Sequence, residues 1–330
     1  MGLPQDHEVW AWRGRGEPRA LRLETRPLPV PGPGEVLLEN RVIGLNPVDW
    51  KMISWSHPDW QPGHVPGVDG CGVVIAAGDD LSLLLGRRFA YHQGLARDGS
   101  FASHTVLAAE SLIPVPAEMD DLTAAALPCP GLTAWQALAK LPGSGGRDIL
   151  VSGAGGAVGL ILTQLALRAG YRVWATAAPA HLRALMALGV CGVFNYRTSD
   201  WHEALTAALG PRRLHAVFDT VSGDHARSLA PMLGYNGHLV CIQGRQETAP
   251  LPAFSTAISM HEVALNSVHD WATAEDWLLW RNAGRVLFDL AASRELQLPL
   301  VRTVDFSDLA HALGQIKNGA AAGKFVVRLA

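Results

Sequence analysis

The stretch Asp148–Gly170, DILVSGAGGAVGLILTQLALRAG, leaves a chain little freedom of fold. Ile149-Leu150-Val151 is a short apolar run of the kind buried on both faces of a parallel sheet. A glycine-rich turn follows, and then Val158, Ile161, Leu162, Leu165 and Ala169 recur at helical spacing. Strand, glycine turn and helix form the first half of a dinucleotide-binding unit. Gly153 permits the tight turn, Gly155 and Gly156 let backbone approach a pyrophosphate, and Gly159 lets the helix pack against the strand. Ala157 and Val158 open the helix, whose free N–H groups would meet the phosphates. A glycine cluster alone also suits an ordinary turn. The flanking strand and helix, and the alternation that follows, favour the nucleotide.

That alternation is regular. Strands are expected at 171–176, 192–195, 215–220 and 237–243, with helices at 179–188, 201–209 and 224–233 between them. Strands separated by helices of about ten residues give a doubly wound parallel sheet, the Rossmann arrangement. Val263–Val268 reads as its sixth strand. Upstream, residues 8–115 are β-rich and broken by glycine and proline. Strands are expected at 8–13, 21–24, 35–45, within 66–75, at 87–92 and across 98–106. The run Pro27-Leu-Pro-Val-Pro-Gly-Pro-Gly34 can only be a stiff connection. Such density of short strands suggests a small barrel-like domain. Helical character starts near 120–126, is interrupted by Pro128 and Pro130, and resumes at 131–138. A long helix at 275–294 precedes β character at 300–306 and 324–329. The expectation is an α/β chain of two domains: a β-rich one, discontinuous over 1–120 and 270–330, around a dinucleotide-binding one at 121–269.

With 330 residues, 48% hydrophobic and 17% charged, the chain can bury sizeable cores. A net charge of −3 without basic blocks speaks against nucleic acid or a charged membrane surface as partner. Cys71, Cys129, Cys191 and Cys241 are scattered, which suits a reducing compartment better than a disulfide framework. No signal-peptide pattern follows Met1 and no apolar run approaches a membrane span, so a soluble, cytoplasmic protein is expected.

Several motifs carry a family resemblance: PGPGEVLLEN at 31–40, GLNPVDWK at 44–51, PGVDGCGVV at 66–74 and DGSFASHTVLAAESLIPVP at 98–116. GLTAW at 131–135, GAGGAVG at 153–159, FNYR at 194–197 and GKFVV at 323–327 complete the set. In this order they resemble the medium-chain dehydrogenase/reductase superfamily, whose first domain is GroES-like. Together they look most like its zinc-free quinone oxidoreductase branch, the relatives of zeta-crystallin. A catalytic zinc needs a Cys and a His as first-domain ligands, and those places look to be taken by Asn46 and Val68. Four clustered cysteines for a structural zinc are also missing after His92. His57, His64 and His92 therefore read as loop or pocket histidines, and no metal is expected.

Without a metal to polarise an alcohol, reduction of an acceptor that is already electrophilic is the easier chemistry. Quinones and α,β-unsaturated carbonyls fit, since the anion they leave is resonance-stabilised and takes its proton from water. The resemblance implies the same class. It places Asn46, Asp49, Lys51 and Thr133 around a nicotinamide. Lys51 stands where zeta-crystallin-like members carry a tyrosine, and its ammonium either donates to the developing oxyanion or is solvated or paired to Asp49. Trp50, Trp55 and Trp60 form either a pocket wall or core edge. Tyr91 and His92 are further pocket candidates.

An NAD binder usually carries an acid at the end of its second strand. Here Ala175-Thr-Ala-Ala-Pro-Ala-His181 has none, so NADPH is favoured over NADH. Ala178, His181, Arg183 and Tyr196, with Arg197, are the residues expected near the 2′-phosphate. Ala180 replaces the lysine common in this loop. The resemblance adds Gly244, Asn266 and Lys324 as cofactor contacts; the last two suit capping or surface roles equally well. The expected function is an NADPH-dependent, zinc-independent reductase. The alternatives are an enoyl-thioester-type reductase, or a non-catalytic NADPH-binding scaffold or stress protein. A homodimer through the edge of the six-stranded sheet is expected from the resemblance.

Overall fold

The computed structural model describes residues 2–143, 145–319 and 323–329. In chain order the first elements are β1 (Asp6–Ala11), β2 (Arg22–Pro27), β3 (Glu35–Gly44), α1 (Pro47–Trp55), β4 (Asp69–Ala77) and β5 (Arg88–His92). They are followed by β6 (His104–Ala108), β7 (Leu112–Pro114), α2 (Asp121–Ala126), α3 (Pro128–Leu138), β8 (Asp148–Ser152) and α4 (Ala157–Arg168). Next come β9 (Arg172–Ala177), α5 (Leu182–Ala187), β10 (Gly192–Asn195), α6 (Trp201–Leu209), β11 (Leu214–Asp219) and α7 (Asp224–Leu229). The remainder is β12 (Leu233–Cys241), β13 (Ser259–Glu262), α8 (Val268–Trp271), α9 (Ala274–Ala292), β14 (Val301–Asp305), α10 (Leu309–Lys317) and β15 (Lys324–Arg328). Two compact units result, one of residues 1–129, 266–295 and 299–330, the other of 130–265 and 296–298.

In the first unit β1 and β2 pair with each other, and a larger sheet runs β14-β15-β3-β4-β5-β7 with β6 also on β3. Strand β3 is central because its apolar residues bury on both sides. Ile43 joins Leu45, Ile53, Trp60, Phe101, Leu313 and Phe325, whereas Val36 and Leu38 join Val74, Phe89, Tyr91 and Leu107. Gly44 ends β3 where α2 crosses it; a Cβ there would lie 2.1 Å from the Ala125 carbonyl oxygen. Because α2 packs on β3 and β4, the unit extends past residue 120 to residue 129.

Three expectations change, and one element is added. Asn46–Lys51, given no element in the sequence, starts a helix: Asn46 caps α1 and Pro47 supplies its first turn, where the missing N–H costs nothing. Residues 98–103 are not strand, since Gly99, Ser100 and Phe101 spend their N–H groups on the carbonyls of Val65, Gly67 and Pro66. Pro128 and Pro130 do not interrupt a helix but open α3, again at first-turn positions. The sixth strand is Ser259–Glu262 rather than 263–268, which turns into short helices. As an edge strand it is mostly exposed and shows no apolar run to read.

The second unit is a six-stranded parallel sheet in the order β10-β9-β8-β11-β12-β13. Strand order reverses between β8 and β11, so their carboxyl ends, Ser152 and Asp219, flank the crevice where such sheets bind ligands. Helix α4 is buried more widely than a single stripe, at Ile161, Leu162, Thr163, Gln164, Leu165 and Ala166, while Ala169 is exposed. The Gln164 amide donates to the Gln297 carbonyl at 2.9 Å and accepts from its N–H at 2.7 Å, which ties 296–298 to this unit.

Three histidines on neighbouring strands give this unit an acid sensitivity. His215 lies 4.9 Å from His238, centroid to centroid, and His238 Nδ1 is 3.0 Å from His261 Nε2. Burial, then Arg147 and His238, push the His215 pKa down to about 4; burial leads the lowering at His238 and His261 too. The folded state therefore resists protons that the unfolded chain accepts near pH 6.5. Stability from these groups is complete above that value and falls as pH drops toward about 4. Thermal midpoints should hold between pH 7.5 and about 6.5 and fall from there to pH 4.5, and His215→Gln should flatten that fall.

Candidate active site

The glycine turn has the geometry its sequence predicts. Gly153 sits at φ +75°, in the left-handed region, and Gly156 is the N-cap residue of α4. A Cβ on Gly159 would meet the Gly153 carbonyl oxygen at 2.4 Å, so only glycine allows helix and turn this close. Thr176 Oγ accepts from Gly153 N–H at 3.2 Å, and Thr220 Oγ donates to the Ser152 carbonyl at 2.8 Å. Ser152 Oγ is 2.7 Å from His225 Nε2, beside buried Asp219. None of Ser152, Thr176, Asp219 or His225 stands out in the sequence, as each is an ordinary residue at the end of a strand or in the next helix.

Among the residues expected at the ribose end, His181 lies against the turn: a Cβ on Gly155 would be 2.6 Å from its ring. Ala178 precedes the single turn holding His181, Arg183 is exposed on α5, and Tyr196 is 44% exposed with the Arg197 guanidinium 5.9 Å from its ring centre. Thr133 is buried on α3, and Gly244 follows β12 with a Cβ position 3.6 Å from Ser222. Ala157 and Val158 begin α4.

In the first unit, Asn46, Asp49 and Lys324 converge on a residue the sequence reading passed over, Asp69. Its carboxylate is fully buried at the start of β4. Oδ1 lies 2.9 Å from His92 Nδ1, Oδ2 accepts from Asn46 Nδ2 at 2.9 Å, and the Cys129 N–H donates to both. The Lys324 ammonium stands 3.8 Å from Oδ2 and donates to Asn46 Oδ1. Lys324 is thus no surface residue but a buried counter-ion. The signal was present: an acid inside PGVDGCGVV must be paired to be buried there.

Asp49 is one turn into α1, where its Oδ2 accepts the Asn46 N–H at 2.7 Å and its Oδ1 has no partner. Burial, chiefly, and nearby Asp69 raise its pKa to about 8, so it carries a proton at neutral pH.

Lys51 lies two residues beyond Asp49 on α1. It is half-buried, with its ammonium 5.8 and 5.9 Å from the Trp50 and Trp55 ring centres, and burial lowers its pKa. Trp60 is core, packed on Trp12 and stacked on His64 at 4.3 Å. Tyr91 is core as well, its hydroxyl donating to Asn40 Oδ1 at 2.7 Å. Asn266 spends its side-chain oxygen on the Leu95 N–H at 2.8 Å. Its neighbour His269 was not anticipated; it lies 5.9 Å from His92 and 5.4 Å from Trp277, ring to ring.

Asp69, His92 and Cys129 hold three potential metal ligands within 4.8 Å of one another. A divalent cation does not fit them as they stand. A carboxylate offers about four acceptor sites, and the donors just named already use those of Asp69. The Lys324 ammonium supplies the positive charge a cation would bring.

Comparison with known proteins agrees with this geometry. Residues 32–117 match the alcohol dehydrogenase GroES-like domain, and residues 157–280 match the zinc-binding dehydrogenase family. The chain is 26% identical over 305 residues to the quinone oxidoreductase of Lama guanicoe, covering 89% of each chain. It is 28% identical over 325 residues to a trans-enoyl reductase of Aspergillus flavipes, covering 89% of this chain and 91% of the relative. The solved quinone oxidoreductase of Coxiella burnetii superposes with a TM-score of 0.81 at 23% identity, covering 98% of this chain and all of that one. With both domain families matched in order around a glycine turn and a parallel sheet, the chain belongs to the medium-chain dehydrogenase/reductase superfamily of oxidoreductases.

Proposed function

We propose that the protein is an NADPH-dependent, zinc-independent reductase of quinones or α,β-unsaturated carbonyls. The observation that carries this reading is Asp69. Where metal-dependent chemistry needs open ligands, the chain has a carboxylate saturated by Asn46, His92 and the Cys129 N–H and neutralised by Lys324. Bound NADPH supplies the hydride and both electrons. The residues to hold it are the glycine turn, with Thr133, Ala178, His181, Arg183, Tyr196 and Gly244, and no acid at the end of β9 repels a 2′-phosphate. Asn46, Asp49 and Lys324 keep a fixed polar environment that favours negative charge developing on an acceptor oxygen. The trans-enoyl reductase relative keeps an enoyl thioester as the second substrate reading. A dimer formed through the edge strand β13 belongs to the same proposal.

The test is to titrate metal-free protein with NADPH and NADH, and then to add 1,4-benzoquinone, methyl vinyl ketone and an enoyl thioester. Tighter binding of NADPH and turnover of quinone or enone, unchanged by added zinc, is expected. Activity only after zinc addition would reverse the metal assignment, and binding without turnover would leave the scaffold reading.

A further inference from the structure

Which N–H groups the glycine turn offers to a phosphate is decided by what the others are bonded to. Gly153 N–H donates to Thr176 Oγ at 3.2 Å, Ala154 N–H to the Thr176 carbonyl at 2.9 Å, and Gly156 N–H to the Gly153 carbonyl at 3.1 Å. Among the described residues, the N–H groups of Gly155, Ala157 and Val158 have no such partner. Those three are what the turn holds out. Thr176, fully buried near the end of β9, therefore clamps the turn with its side chain and its backbone together.

Thr176 is itself held. Its Oγ donates to Ser152 Oγ at 3.3 Å, and Ser152 Oγ lies 2.7 Å from His225 Nε2. Ser152 ends β8 and is 1% exposed, so these two neighbours set the orientation of its hydroxyl. His225 is the second residue of α7, and its place follows from the turn before it. There buried Asp219, 3.7 Å from the imidazole, accepts the N–H groups of Val221 and Ser222 at 3.1 and 2.7 Å. An unbroken chain of hydrogen bonds thus runs from α7 across β8 and β9 to the first N–H of the glycine turn, all within the second unit. In a buried chain each bond orients the next, so loss at one end loosens the other.

We propose that His225 is a positioning residue of the dinucleotide site. Acting through Ser152 and Thr176, it holds the glycine turn in the shape that presents the Gly155, Ala157 and Val158 N–H groups to the diphosphate. This rests on the dinucleotide-binding reading of the turn. Among the described residues no hydrogen bond joins the imidazole to the turn itself, so its effect passes through the two hydroxyls. Without the imidazole the Ser152 hydroxyl has one partner fewer, and Thr176 is free to turn its own oxygen from the Gly153 N–H. A hydrogen bond of this kind is worth about 3- to 10-fold in an equilibrium.

The experiment is calorimetric titration of wild type, His225→Phe, His225→Gln and Ser152→Ala with NADPH and with ADP. His225→Phe keeps an aromatic ring and removes the nitrogens. It should weaken both ligands by about 3- to 10-fold, since both carry the diphosphate. Ser152→Ala, a smaller cut in the same chain, should match it. His225→Gln, whose amide can still meet Ser152, should restore most of the affinity. The double variant His225→Phe, Ser152→Ala should lose no more than either single one, as residues of one network do. In turnover the loss should fall on KM for NADPH rather than on kcat. In the apoprotein the Gly153 amide should shift in nitrogen-15 spectra of His225→Phe, a signal that a role confined to α7 would not move. Unchanged NADPH affinity with an unmoved Gly153 amide, or additive losses in the double variant, would overturn the inference alone. Wild-type protein that binds neither NADPH nor ADP would overturn the dinucleotide reading, and the task of His225 with it.

Discussion

Gly156→Asp is expected to weaken NADPH binding by about 100-fold, or ~2.7 kcal/mol, while leaving the protein folded. The position is the N-cap of α4, with φ −79° and ψ 167°, a conformation open to any residue. A Cβ there meets nothing closer than the Gly153 carbonyl oxygen at 3.5 Å, an ordinary contact. Aspartate is among the preferred N-cap residues, so the helix itself gains from it. What the change removes is the approach of pyrophosphate to the free N–H groups, and it adds a like charge at that place. Calorimetric titration with NADPH reports the affinity and a thermal scan reports the fold. Undiminished affinity would show that the diphosphate lies elsewhere. Gly159→Ala makes a useful contrast. Its Cβ would collide with the Gly153 carbonyl at 2.4 Å and with Ala154 Cα at 2.7 Å, so stability should fall along with binding.

Lys324→Met should produce the largest loss of stability. It strips the cation from a fully buried carboxylate and the donor from Asn46 Oδ1. Breaking a buried pair by removing one partner costs about 3–5 kcal/mol, because the other charge stays behind. Urea unfolding should show the loss in the first unit, whereas NADPH affinity, which depends on the glycine turn of the second, should hold. Loss of affinity without loss of stability would instead assign Lys324 to the cofactor. In the double variant Asp69→Asn, Lys324→Met, neither charge is stranded. The penalties should then fall short of additive by about 1 kcal/mol or more, the signature of direct coupling.

The parts of this molecule that could be read in advance are those whose logic is local. The glycine turn, its strand and its helix lie within a single window, and the βα alternation repeats a short period. Strand β13 escaped because an exposed edge of four residues carries no hydrophobic pattern. Helix α1 has a local start signal in Asn46-Pro47, an N-cap residue followed by proline at the first helical position. The Asp69 cluster is different in kind. Its hydrogen-bonding partners lie 23 positions away at Asn46 and His92 and 60 away at Cys129, and Asn46 meets Lys324 across 278. No window contains that set. A lone acid in an apolar run announced that partners must exist without saying which. Lys51 shows the converse, since a resemblance named it while the tryptophans beside it, Trp50 and Trp55, are its neighbours on the same helix.

The closing of β3 by β15 also sets an order of events during synthesis. The six parallel strands, and the 296–298 segment that joins them, leave the ribosome before residue 324 does. At roughly 5–20 residues per second, that interval lasts on the order of one to five seconds. During it a nascent chain can already have a folded nucleotide-binding unit while Asp69 still lacks its ammonium. Translation arrested in that window would therefore yield a chain that takes up the dinucleotide yet has no completed partner site, a sequestering species rather than a slow enzyme.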